Sequence, residues 1–169
     1  PDCLTEFKMK SAGTKIWCEA CHTVHEMDEL GRLHNLSNPT KFSHIPDWFE
    51  WQRSQVKQQI ENHDYNIDIK VQIESLPNSS GFYRLGEGTL VHNKNGFKLT
   101  GENLFIEKSV LANYGIHIEY DYFGKGDCVS FSTLTDTFYL YPINQEYSVT
   151  KFHFAVEELY KLEVEKKNN

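Results

Sequence analysis

The 169-residue chain has no apolar run that approaches the length needed to span a bilayer. It is short of positive charge: 17 Lys and Arg stand against 24 Asp and Glu, a net charge of −7. The overall balance gives no basis for broad affinity toward nucleic acid or anionic lipid, and nucleic acid is not expected as a partner, although a local basic patch stays open. No G-x-S-x-G elbow and no phosphate-binding P-loop occur. Internal repeats and low-complexity tracts are also absent. There are only four cysteines, three of them within the first 21 residues. That usage speaks for a reducing, cytoplasmic compartment and against a disulfide framework. No signal peptide is visible, but the chain opens in mid-motif, so its true N-terminus is expected upstream of Pro1.

The clustered cysteines carry the clearest chemistry. Cys18-Glu19-Ala20-Cys21 is a thiolate pair at the spacing that lets one turn present two sulfurs to one tetrahedral Zn²⁺. Cys3 precedes Cys18 by fourteen intervening residues and stands where the second member of an earlier pair belongs. The pattern predicts a zinc ribbon, C-x2-C-x14-C-x2-C, with Cys3, Cys18 and Cys21 as ligands and the first ligand one residue before Pro1. The fourth ligand stays open: a Cys upstream, His25, His22 (which would need a strained approach) or the distant Cys128. The plainer alternative is a pair of ordinary or redox thiols, but no βαβ pattern follows, as a thioredoxin-like pair would require. A site of three or four sulfurs leaves no position for substrate, so the zinc is expected to be structural.

Residues 1–36 read as short strands and turns, too short to bury a sufficient core without metal. Asn38-Pro39-Thr40 is a break. Pro46 suits a first helical turn, and Asp47 and Glu50 complement its positive end. Ile45, Phe49, Val56 and Ile60 form an apolar stripe interrupted by Gln52, with Trp48 and Trp51 widening it, so a helix is predicted over 46–62 that docks by these aromatics. From Tyr65 the period becomes two: Ile67, Ile69, Val71 and Ile73 alternate with Asp68, Lys70, Gln72 and Glu74. Further strands are predicted at 82–92 and 97–100, joined by the hairpin signal Asn93-Lys94-Asn95-Gly96, with a bend at Gly86 and Gly88. Leu104 to Val110 is a short apolar piece. Alternation continues over Ile116, Ile118, Tyr120 and Tyr122, then Val129 and Phe131, then 137–142. Ser148 caps a final amphipathic helix, and 163–169 reads as a solvated tail.

The fold class read from this order is α+β: a zinc ribbon over 1–36, a linker and amphipathic helix over 37–64, and over 65–169 a mainly antiparallel seven-stranded sheet closed by a C-terminal helix. That layout resembles a pleckstrin-homology or GRAM-like barrel, which by itself fixes no function. His117 and His153 read as structural, and Cys128 as a small core residue. Arg84, Lys94, Lys98, Lys108 and Lys125 could line a site for an anionic headgroup, but they are scattered among acids and read as solvated surface. Asn62-His63…Asp68 matches N-H-x4-D, the base and orienting acid of glycerolipid acyl transfer. Asp68, however, falls on the polar face of a strand and no basic phosphate motif follows, so a catalytic dyad is not expected.

Three segments carry a family resemblance: Cys3…Cys18-Glu19-Ala20-Cys21 with His25-Glu26-Met27; Phe42-Ser43-His44-Ile45-Pro46-Asp47-Trp48-Phe49-Glu50-Trp51; and Leu76-Pro77-Asn78…Gly81-Phe82…Leu85-Gly86-Glu87-Gly88-Thr89-Leu90-Val91-His92…Gly96-Phe97-Lys98-Leu99-Thr100-Gly101. Together they resemble the region downstream of the catalytic domain in bacterial 1-acylglycerol-3-phosphate O-acyltransferases. The resemblance covers most of 1–101 and thins beyond. It implies that the whole protein acylates a lysophospholipid, with catalytic His and Asp upstream of Pro1. It further implies that this region is a non-catalytic accessory whose partner is the upstream acyltransferase domain, peripheral at the inner membrane face through its parent. The reading from a different class is a free-standing binding module for a lipid headgroup, peptide or nucleic acid. A small enzyme built on His63 and Asp68 ranks last.

Overall fold

A computed structural model describes residues 3–143 and 147–168. It shows an α+β chain with a four-stranded sheet, a seven-stranded antiparallel sheet curled into a half-barrel, a helix linking them and a C-terminal helix. The fold class expected from the sequence is met. The chain divides into two compact units, Pro1–Ser54 and Gln55–Asn169, with the boundary inside the linking helix.

In the first unit β1 (Met9–Ala12), β2 (Lys15–Cys18), β3 (Val24–Met27) and β4 (Leu33–Asn35) form a meander in sequence order. Gly13, at φ +55°, makes the first turn. The sheet is small, and its buried side chains are few: Cys18, Thr23, His25 and Leu33. Helix α1 (Ile45–Glu61) begins at the predicted place. Trp48, expected to dock the helix, is buried, whereas Ile45, placed on the expected stripe, is exposed. The ring of Trp48 lies 5.2 Å from that of His25 and stacks at 5.8 Å on Phe42. The stripe therefore runs Trp48, Gln52, Val56, Ile60, one position every four residues, with the polar Gln52 inside it.

In the second unit β5 (Asn66–Ser75), β6 (Tyr83–Asn93), β7 (Gly96–Gly101) and β8 (Phe105–Lys108) form one meander. A second contains β9 (Ile116–Glu119), β10 (Cys128–Ser132) and β11 (Thr137–Pro142). The two join through β5 and β11, which gives the order β8-β7-β6-β5-β11-β10-β9. The sheet bends where the β5–β6 register shifts at Ile73/Glu74, opposite Gly86. At Gly88 a Cβ would stand 2.5 Å from Thr100 O and 2.6 Å from Ile73 Cδ1, so only glycine lets β7 and the Ile73 side chain come this close.

One face of the curled sheet carries Val71, Ile73, Leu90, Leu99, Val129 and Leu140, all essentially inaccessible. Helix α2 (Val149–Asn168) starts where Ser148 Oγ accepts the Lys151 N–H at 3.2 Å, and it packs against β9. It runs through the segment expected to be a solvated tail. Within the core His92 is fully buried: Nδ1 pairs with Tyr65 Oη at 2.8 Å, Asn113 Nδ2 is 3.4 Å from Nε2, and Phe152 lies against the ring at 4.5 Å. Burial holds its pKa down at about 4. The opposite face, by the period of two, carries a smaller cluster of Cys128, Tyr139 and Tyr141, with Leu76 and Tyr122 against it. Tyr122 reaches it from outside the sheet. The expected alternation through Tyr122 stops at Glu119, because Asp121 is left-handed (φ +43°) and turns the chain into a loop.

Candidate metal centre

The structure brings Cys3, Cys18 and Cys21 together, their Sγ atoms all within 4.8 Å of one another. Cys3 and Cys18 Sγ are 3.7 Å apart. Zn–S bonds of about 2.3 Å place the sulfurs of a tetrahedral site about 3.8 Å apart, so this edge has the length a metal would impose. Such crowding of three free thiols gains little without a cation between them.

The local fold explains how the sulfurs converge. Cys18 ends β2, pairs across the sheet with Met9 and is completely buried. The chain then doubles back: the N–H of His22 donates to Cys18 O at 2.9 Å, and the N–H of Cys18 to Thr23 O at 3.1 Å. This turn aims the Ala20 N–H at Cys18 Sγ (3.4 Å) and places Cys21 Sγ 3.3 Å from Thr23 Oγ1. The first knuckle repeats the second half of that turn. Cys3 Sγ lies 3.3 Å from Thr5 Oγ1, and the intervening Leu4 has φ +58°, the same value as His22 between Cys21 and Thr23. Two Cys-x-Thr turns with a left-handed middle residue thus face one another across the site. The sequence reading missed both threonines. The repeated Cys-x-Thr was visible, but threonine is too common after cysteine to stand out.

The thiols differ in acidity. Burial pushes Cys18 up, whereas the Thr23 side chain, aided by its backbone N–H, pulls Cys21 down to about 6. Cys21 is therefore the first thiolate at neutral pH, and a dication would offset the cost of ionising the buried Cys18 beside it. The cluster can bind a metal ion.

Among the described residues no fourth His, Cys, Asp or Glu joins this group. His25, one of the candidates left open for the fourth ligand, sits in β3 with its ring against Trp48. Cys128 is buried in the second unit beside Tyr139 and Tyr141, where burial raises its thiol to about 12. His63 and Asp68 do not form a dyad: His63 is the left-handed residue ending α1, Asp68 is exposed opposite Val91, and no hydrogen bond joins them. Comparison with family models, curated proteins and solved structures finds no match for the chain.

Proposed function

We propose that this chain is a zinc-stabilised accessory region that positions a catalytic domain and performs no group transfer itself. The converging thiols of Cys3, Cys18 and Cys21 carry the metal part of the reading. A soft, four-coordinate ion suits three sulfurs, and Zn²⁺ is the common ion with that preference. The fourth donor is proposed to be a thiolate upstream, at the place that Cys18 holds relative to Cys21, because the two Cys-x-Thr turns are equivalent. A closed sulfur site polarises no substrate, so its contribution is folding energy for a small sheet.

The parent activity, acyl transfer to a lysophospholipid at a membrane face, is supported by the resemblance of the ribbon, of the His44-Ile45-Pro46-Asp47-Trp48 junction and of the Gly-rich strand segment. No helix of the described residues is long and apolar enough to cross a membrane. The test is direct. The purified chain should carry about one zinc, by elemental analysis. It should also transfer no acyl group to lysophosphatidate, whereas the parent gene product should do so. Turnover by the chain itself, abolished in His63→Ala, would overturn the accessory reading.

A further inference from the structure

The second face of the curled sheet holds an ammonium in an aromatic box. Lys125 Nζ is 2.6 Å from Glu74 Oε2, 5.0 Å from the centroid of the Phe82 ring and 5.8 Å from that of Tyr141. Two ring faces and a carboxylate around a cation are the elements by which proteins recognise alkylated ammonium ions.

The walls have contacts besides the lysine, some of them from its own loop. Glu74 is fixed in β5 opposite Tyr139, and Tyr141 in β11 is buried. The ring of Phe82 is braced edge-on by Tyr139 at 5.3 Å and Tyr122 at 6.4 Å, and Tyr122 stacks on Tyr139 at 4.9 Å. Arg84, the cross-strand neighbour of Glu74, bonds instead to Gln72 Oε1 and leaves the carboxylate to Lys125. Glu119 and Asp127 add negative potential beside Cys128 in the same cluster.

The lysine is held differently. It lies on the loop between β9 and β10, where Asp121 and Phe123 are non-glycine residues at φ +43° and +52° and Gly124 and Gly126 are also left-handed. Backbone strain of this kind persists where a segment is held by its contacts. The loop's backbone bonds to itself, through Tyr122 N–H to Gly126 O and Asp121 N–H to Asp127 Oδ1, while the Tyr122 side chain is anchored on Tyr139. Lys125 itself stays 43% exposed, so its ammonium loses little on returning to water.

We propose that Glu74, Phe82 and Tyr141 form a binding cage for a quaternary or methylated ammonium, and that Lys125 fills it from within until such a ligand displaces it. A quaternary cation has no N–H to satisfy and sets methyl groups against the rings that a primary ammonium cannot offer. Lys125 competes as a tethered occupant whose ion pair and ring contacts are individually weak, so removing it should tighten ligand binding about tenfold.

The test is a titration of the chain and of Lys125→Ala with tetramethylammonium and choline chlorides at constant ionic strength, followed by NMR shifts of the aromatic side chains. Saturable binding is expected in both, about tenfold tighter in Lys125→Ala, and lost when Glu74→Gln or Phe82→Ala is added. Lys125→Gln repeats the measurement with the side-chain length kept, should alanine unsettle the loop. A folded Lys125 variant with no saturable shift, or one that binds equally well with Glu74→Gln, overturns the cage. Sedimentation of Lys125→Ala with phosphatidylcholine but not phosphatidylglycerol vesicles assigns the ligand to a lipid headgroup. Binding of free choline without vesicle binding assigns a soluble one. The cage and the metal centre lie in different units, so failure of one leaves the other standing.

Discussion

Thr23 sets the acidity of Cys21, and that has a measurable outcome. A metal competes with protons for thiolates, so a thiol held at about 6 keeps its metal to lower pH than an ordinary cysteine. Thr23→Val should raise the pH at which half the metal is lost by roughly half a unit to one unit, the worth of one ordinary hydrogen bond. A chromogenic chelator read across a pH series checks it. His92 makes the opposite kind of contribution. Its folded pKa of about 4 lies below the unfolded value of 6.5, so the unfolded chain takes the proton first. Stability should be unaffected by this group above pH 6.5. It should fall by on the order of 3 kcal/mol as the pH drops to about 4, and the fall should stop below that. Urea melts of the chain and of His92→Gln at each pH give the difference, in which the shared carboxylate contributions cancel. Neither effect was legible beforehand. The cysteine spacing was, because two thiolates on one turn are a local property, whereas the burial of His92 depends on Tyr65, Asn113 and Phe152 from three other segments.

Among the elements, long strands were read best. β5 alternates without fault over ten residues, and the Asn-Lys-Asn-Gly hairpin needs Gly96 at φ +118°. Helix α1 was located from Pro46 and Asp47 and its docking through Trp48 was legible, yet Ile45, which keeps the period of the stripe, sits at the exposed first position of the helix. β9 ends early for a similar reason: Tyr120 and Tyr122 keep the period, but Asp121 leaves the extended region and Tyr122 stacks on Tyr139 instead. The bend at Gly86 and Gly88 was legible, because glycine inside a strand marks a kink or a close approach. Gly88→Ala should lower the stability of the second unit by about 1–3 kcal/mol, as its Cβ meets the Thr100 carbonyl and the Ile73 methyl. A shift in the denaturant midpoint without a change of slope would show this, and no shift would mean that β7 moves freely away.

For the whole molecule, the two compact units divide the consequences of metal loss. Cys18→Ser should release the metal and loosen the first sheet, which buries little else. The second unit has its own core and should keep its amide protection, measurable residue by residue through hydrogen exchange. Full metal occupancy in Cys18→Ser would mean that the ligands lie elsewhere.

The pairing of β5 with β11 implies an order in time. β5 to β8 and β9 to β11 each join neighbours in sequence, so each meander can zip from its own turns with short loops to close. Gln72 meets Tyr141 only after the whole intervening chain has been gathered, at a much larger entropic cost. The seam between the meanders should therefore form last on refolding and open first under load. Pulse-labelled exchange should find β6 and β7 amides protected before the β5 and β11 amides that bond across the seam. Until that seam closes, β5 and β11 both present unpaired edges, and the interval is when the chain is most exposed to joining another copy of itself.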